Sequence, residues 1–378
     1  MIARLLKPIV LEKIGQGKAI IIIGPRQVGK STLLAEIARE SGKKVLFLDC
    51  DEHDDRQLLI DATSTALRAS IGGAELVLID EAQRVKNIGL TLKLFTDKIR
   101  EVQVLVTGSS SFDLANEINE PLTGRKFEYM MFPLSTLEMI RHHGEKDERR
   151  LLLRRLLYGF YPEVLNAPGN APQALRDISK SYLFKDLFAF REIRKPELLE
   201  KLLRALALQM GNEVSFNELA NTIGSDQLTV QRYLDLLEKS FVIFRLSAFS
   251  RNLRTELKRS RKIYFYDNGI RNALLNNFLP IDSRQDIGAL WENFLVAERM
   301  KYLHYAGKFP NTYFWRTQLG DEIDYLEEQD GQIHAFEFKW NPSRSAKMPT
   351  AYAKTYPNST FTVINPENYL GFVAPESA

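Results

Sequence analysis

The sequence predicts an α/β fold: a doubly wound parallel sheet, then a mostly helical stretch, then a second and smaller α/β unit. Three observations predict it. Four short apolar runs alternate with helical segments over residues 1–135: AIIIIG (19–24), KVLFLD (44–49), ELVLID (75–80) and VQVLVTG (102–108). Runs that are apolar on both faces mark buried parallel strands. From about 145 to 246 leucines recur at helical spacing. Leu151, Leu152, Leu156 and Leu157 form one stripe, and Leu198, Leu199, Leu202, Leu203 and Leu206 another, with polar residues opposite. From about 287 a helical run, ALWENFLVAERMKYL, precedes strand-like TYFWR, EIDYLEE, HAFEFKW and FTVIN. No internal repeat interrupts this order.

The 378 residues suffice for two or three domains, at roughly 100–200 residues each. With 44% hydrophobic and 26% charged residues the composition is that of an ordinary soluble globular chain. The longest apolar run near the start is 19–23, far short of the ~20 residues that span a bilayer. The first residues carry no signal-peptide pattern. The single Cys50 excludes an intramolecular disulfide and a cysteine-built zinc site. The expectation is a cytoplasmic protein with no membrane partner. A net charge of +3 decides nothing, but its distribution does. Residues 251–262 hold Arg251, Arg254, Lys258, Arg259, Arg261 and Lys262 against Glu256 alone. Such a run is a nucleic-acid contact, a solvated loop, or a contact with an acidic neighbouring domain.

The segment GPRQVGKS (24–31) fits G-x-x-x-x-G-K-[ST] without departure. It follows a predicted strand and opens a predicted helix, which is the context a P-loop requires. Gly24 and Gly29 let the backbone curl so that its N–H groups converge on phosphate oxygens. The helix N-terminus adds partial positive charge. The expected phosphate cradle is Gly24, Pro25, Arg26, Gln27, Val28, Gly29, Lys30, Ser31 and Thr32, holding ATP with Mg²⁺. Lys30 reaches the β- and γ-phosphates, and Ser31 ligates the metal. The strand ELVLID ends in paired acids, costly in an apolar place unless a cation faces them. Asp80 is the expected metal residue, and Glu81 polarises the attacking water. The third strand ends in Ser109 and Ser110, either of which contacts the γ-phosphate or the water, or else caps a helix.

With these elements in this order, the chain resembles the AAA+ superfamily. More narrowly, it is similar to the bacterial and archaeal ATPases with a C-terminal domain of unknown function. GPRQVGKSTLL, VLIDEAQRV, VLVTGSSS and LTGRKFEYMMFPLS carry the likeness. So do GFYPEVL (159–165), YLFKDL (182–187) and KIYFYDNGIRNALL (262–275). The resemblance implies ATP hydrolysis and homo-oligomers. It also implies an arginine finger at Arg125, whose guanidinium would stabilise phosphoryl-transfer charge on a neighbouring subunit's ATP. A salt bridge is the other reading of Arg125. Serines 109–111 stand where the superfamily often has a sensor asparagine. Arg154 and Arg155 are candidates for a second sensor.

SFNELANTIG (215–224) and LTVQRYLDLLEKSF (228–241) read as a helix-turn-helix. Val230, Tyr233, Leu234 and Leu237 face a core, and Thr229, Gln231, Arg232 and Asp235 face outward. With FVIFRLSAF and the basic run it resembles the family's winged helix, which is either a DNA contact or a lid and protein contact. Near the C-terminus, HAFEFKW puts Glu337 and Lys339 on one strand face, and the DGQ turn (330–332) sets Asp324 on the neighbouring strand. This resembles the PD-(D/E)XK nuclease fold. The likeness implies Asp324 and Glu337 as metal ligands, Lys339 as the residue that steadies the nucleophile, and Glu292 assisting from the preceding helix. The other readings are a cross-face salt bridge, or a nuclease-like fold used only for binding. The expected organisation is a P-loop ATPase core (1–140), a helical lid or linker (141–210), a winged-helix-like domain (211–285) and a nuclease-like domain (286–378). The expected function is an ATPase acting on DNA. The alternative is a nucleotide-dependent switch with a non-catalytic, partner-binding C-terminal domain.

Overall fold

The computed structural model describes residues 2–109, 122–180, 193, 195–250 and 261–375. The chain forms two compact units: Met1–Leu134 with Lys239–Phe241, and Ser135–Glu238 with Val242–Ala378.

The first unit is a five-stranded parallel sheet between helices. Its strands are β1 (Ala19–Ile23), β2 (Val45–Asp49), β3 (Leu76–Asp80), β4 (Gln103–Gly108) and β5 (Lys126–Met130), in the spatial order β2-β3-β4-β1-β5. The helices are α1 (Leu6–Lys13), α2 (Lys30–Glu40), α3 (His53–Leu59), α4 (Ser64–Ile71) and α5 (Ile88–Lys98). All four expected strands form, and every pairing is parallel. Ile20, Ile21 and Ile22 are fully buried, as are the four residues Leu76–Ile79. Each such side chain contributes about 1.5–3 kcal/mol of burial. The expectation of two buried faces fails for β2. It is an edge strand, and Phe47 is exposed.

The second unit opens with short helices: α6 (Thr136–His143), α7 (Glu145–Arg150), α8 (Leu152–Tyr158), α9 (Pro162–Asn166), α10 (Ala171–Ile178) and α11 (Pro196–Leu208). The stripe Leu198, Leu199, Leu202, Leu203 and Leu206 of α11 is buried as expected. Arg155 is buried too. Its guanidinium grips Glu148 through two bonds of 2.7 Å. Arg154 donates to the Pro168 carbonyl and lies over the Tyr158 ring.

Next come β6 (Glu213–Val214), α12 (Phe216–Ile223), α13 (Gln227–Lys239), β7 (Ile243–Ala248) and β8 (Arg261–Phe265). Ser215 caps α12, and Gly224 turns the chain in the left-handed region at φ 72°. Val230, Tyr233, Leu234 and Leu237 are buried, while Gln231 and Arg232 are exposed. Asp235 pairs with Arg245 at 2.8 Å. The chain continues through α14 (Asn268–Leu274) and α15 (Ile287–Tyr305) to the meander β9 (Asn311–Arg316), β10 (Glu322–Gln329) and β11 (Gln332–Phe338). Then α16 (Thr350–Thr355) leads to β12 (Thr360–Ile364), parallel to β11. Short α17 (Leu370–Val373) follows.

The sequence separates residues 211–285 from 286–378, yet the strands of both stretches lie in one sheet, β12-β11-β10-β9-β7-β8-β6. The join is a short parallel pairing of Ser247 with Tyr313 and Ala248 with Phe314. Hydrophobic patterning cannot report such a join, because it concerns backbone groups only. No helix among the described residues is long and apolar enough to cross a membrane.

Candidate functional site

The phosphate-loop site sits at the carboxyl end of the first sheet. Gly24 leaves β1 with its backbone against Met131. A Cβ there would lie 2.1 Å from the Met131 carbonyl oxygen, so no side chain fits. Gln27 (φ 58°) and Gly29 (φ 95°) are both left-handed, which folds the loop into an N–H-lined concavity. Lys30 is 5% exposed, and its ammonium donates to the carbonyls of Gly24 (2.9 Å) and Pro25 (2.7 Å). Ser31 and Thr32 are exposed in the first turn of α2. The far side of the loop is held by Arg4. This buried guanidinium donates to the Val28 carbonyl (3.0 Å) and the Phe132 carbonyl (2.6 Å).

Strands β3 and β4 bring the other groups. Asp80 is 5% exposed, and its Oδ1 accepts from the Glu81 N–H at 3.1 Å and from the Thr107 hydroxyl. Glu81 sits at φ 52°, a conformation that costs a non-glycine residue about 1–3 kcal/mol. Such strain persists where the surroundings over-determine it. Here Gln83 does so: its amide donates to the Glu81 carboxylate and, at 2.8 Å, to the Ser109 hydroxyl, while its Oε1 accepts from the Ser109 N–H at 3.3 Å. The Ser109 hydroxyl donates to Glu81 at 3.2 Å. Ser109 is thus tied to Glu81 and Gln83, and Ser110 lies outside the described residues.

The loop fits a nucleotide on this structure's own terms. Gln27 and Gly29 take the left-handed backbone that such a turn needs, and the Lys30 ammonium donates to the loop carbonyls of Gly24 and Pro25. The nine cradle residues and Asp80 come together at one sheet end. Arg125 does not join them. The register Ala19–Lys126 puts it at the opposite end of β1, five residues or about 16 Å from the loop. Its Nε donates to Asp97 at 2.7 Å. It therefore cannot reach the phosphates of its own chain. Sequence reasoning missed Arg4, Gln83 and Thr107. Gln83 had a signal, being two residues beyond the paired acids, whereas Arg4 and Thr107 had none.

A second polar cluster lies within the second unit. Asp324 occupies an irregularity in β10, between Ile323 and Leu326, where the β9 register shifts. Such bulges re-aim side chains. Its Oδ2 accepts the Phe338 N–H at 2.7 Å. The Tyr325–Phe336 pairing places Asp324 across from Glu337, as expected from the DGQ turn. Lys339 pairs with Glu337 at 2.5 Å. Glu292, on α15, accepts at Oε1 from Lys262 (2.9 Å) and from the Tyr264 hydroxyl (2.6 Å). Lys262 also pairs with Glu322 at 2.5 Å. Burial pushes the Asp324 carboxyl well above the usual range, and the charges of Glu292 and Glu337 push the same way. Burial opposes the Lys262 ammonium, but Glu292, Asp324 and Glu322 outweigh it and raise its pKa. Among the described residues no group of three or more His, Cys, Asp or Glu is arranged to hold a metal ion. Glu292 and Glu337 each pair with a lysine instead. The described part of the basic run 251–262 is Arg261 and Lys262, and Lys262 is buried in this cluster. Of the three readings of the run, this lysine follows the one in which it meets acidic residues of a neighbouring stretch.

Residues 16–140 match the AAA domain family. Residues 149–280 and 287–370 match two domains of unknown function, DUF8612 and DUF4143. An uncharacterized protein of Mycobacterium tuberculosis is 32% identical over 343 residues, covering 88% of this chain and 73% of its own length. One of Haemophilus influenzae is 26% identical over 281 residues, covering 66% and 68%. Among solved structures, a Walker-type ATPase of Pyrococcus abyssi aligns with a TM-score of 0.50 at 18% identity, covering 73% of this chain and 96% of that one. That likeness concerns the fold.

Gln83→Ala should leave nucleotide affinity within about twofold and lower kcat about tenfold, the equivalent of about 1.4 kcal/mol. Steady-state ATPase rates beside a fluorescent-nucleotide titration measure both, and an unchanged kcat removes Gln83 from the site.

Proposed function

We propose that this chain, which belongs to the same family as its mycobacterial relative and carries an AAA-type P-loop ATPase domain, binds Mg²⁺-ATP, hydrolyses it and acts on DNA. The observation that carries the nucleotide part is the meeting of the 24–32 loop with Asp80, Glu81 and Ser109 at one end of a parallel sheet. Loop N–H groups and Lys30 would hold the phosphates. Ser31 and Asp80 would hold Mg²⁺, which when bound neutralises charge on the phosphate oxygens. Glu81 would orient a water and accept its proton, with Gln83 and Ser109 fixing the carboxylate meanwhile. Arg125 would act only on a neighbouring subunit.

The DNA part rests on α11-β6-α12-α13-β7-β8, the element order of a winged helix, with α13 as the groove-facing helix and Arg232 exposed on it. In this reading the ATPase core is 1–140, the lid or linker 141–210, the winged-helix-like domain 211–285 and the nuclease-like domain 286–378. A nuclease-like fold for 286–378 is supported by Asp324 and Glu337 on adjacent strands and by Glu292 on the helix before them. A second reading, a switch whose C-terminal domain binds a partner without cutting, is favoured by one observation. Lys262, Tyr264 and Lys339 already occupy Glu292 and Glu337.

Lys30→Ala should weaken ATP binding by ~100-fold or more, whereas Glu81→Gln should bind normally and hydrolyse ~10²–10⁴-fold more slowly. Full affinity in Lys30→Ala would sink the nucleotide reading. Duplex DNA binding should fall steeply with salt, and Arg232→Ala should flatten the log–log slope by about 0.9. A slope that does not change removes α13 from the DNA contact. Plasmid incubated with Mg²⁺ or Mn²⁺, with and without ATP, should stay intact. Nicking that Lys339→Ala abolishes would overturn the non-cutting reading of the C-terminal domain.

A further inference from the structure

The nuclease likeness calls for a divalent cation among carboxylates, and this chain has placed a different cation there. Lys262 lies at the start of β8, in the strand pair of the helix-turn-helix region rather than in the 286–378 stretch. It is 2% exposed. Its Nζ lies 2.9 Å from Glu292 Oε1 and 2.5 Å from Glu322 Oε1, with the Phe314 ring centroid 5.4 Å away. An ammonium sealed from water needs carboxylate partners, and it has them on both α15 and β10.

Each of these carboxylates already has one oxygen engaged. Glu292 Oε1 accepts from both Lys262 and Tyr264. Asp324 Oδ2 accepts the Phe338 N–H, and Glu337 is paired with Lys339. A small divalent cation takes oxygen ligands at about 2.0–2.1 Å in near-octahedral geometry. To use Glu292 it would have to approach the Lys262 ammonium, 2.9 Å from that carboxylate, and the two positive charges would repel where Lys262 is shielded from water.

We propose that the ammonium of Lys262 is the resident cation of this cluster: it holds Glu292 and Glu322 together and keeps Mg²⁺ and Mn²⁺ off the carboxylates around it, Asp324 included. The site is thereby a structural clasp between β8, α15 and β10 rather than a metal centre. This rests on the reading of the C-terminal domain as non-cutting. It is tested by metal binding instead of cleavage, so either can fail alone.

The test is Mn²⁺ titration of the full chain without nucleotide, with free Mn²⁺ followed by electron paramagnetic resonance. Wild type and Asp324→Asn should bind Mn²⁺ identically, since the cluster takes none. Lys262→Met removes the charge while keeping an unbranched chain. It should gain Mn²⁺ binding at least ~10-fold tighter than wild type, and adding Asp324→Asn should abolish the gain. Two results overturn the proposal: Mn²⁺ binding by wild type that Asp324→Asn removes, or a folded Lys262→Met that gains no site. Should Lys262→Met fail to fold, as its circular dichroism would report, the comparison of wild type with Asp324→Asn decides alone.

Discussion

The first unit depends on the close passage of Gly24 against Met131. The Gly24 N–H donates to the Gly108 carbonyl at 3.3 Å, and the Met131 N–H donates to the Ile23 carbonyl at 2.8 Å. The exit of β1 is thus pinned by the ends of both its neighbours, β4 and β5. That contact leaves no room for a side chain, which fixes glycine there and starts the loop's curl. It also delivers Ser109, the residue after Gly108, to the mouth of the loop. Arg4 holds the loop's other limb at Val28. The loop is a backbone structure held from several sides, by Arg4 from outside it and by its own Lys30 from within.

The second unit solves a different problem. A charge removed from water must be paired and hydrogen-bonded, or it costs several kcal/mol. Glu148 with Arg155, and Lys262 with Glu292 and Glu322, meet that requirement with partners on different elements. The bulge in β10 turns Asp324 toward the same region, where burial and neighbouring carboxylates disfavour its charged form. A cluster of acids at the ends of strands therefore does not by itself specify a metal. The nearest fixed positive charge decides, and here it comes from β8.

The same pairing argument distinguishes Arg125 from the loop residues. Its partner, Asp97, lies with it at the far end of the sheet from Lys30. A parallel sheet has chemically unequal ends. The loops leaving its carboxyl end collect Gly24, Asp80, Glu81 and Ser109. Residues entering strands, such as Arg125, collect at the other end.

The sequence by itself determined what is local. GPRQVGKS is contiguous, so its turn, helix and phosphate chemistry are legible in one line of residues. ELVLIDEAQ shows the acids at its strand end for the same reason. The period-two spacing of Glu337 and Lys339, and the hairpin that brings Asp324 beside them, also follow from short-range rules. Tertiary structure alone decided the rest. Arg4 reaches Val28 and Phe132 across 24 and 128 residues of sequence, and Lys262 reaches Glu292 across 30. Such partners leave no periodicity or motif, because their spacing is set by how strands are ordered in a sheet. That is why the sequence left the basic run open between a nucleic-acid contact, a solvated loop and an acidic partner, and why only the fold shows its last lysine buried among carboxylates.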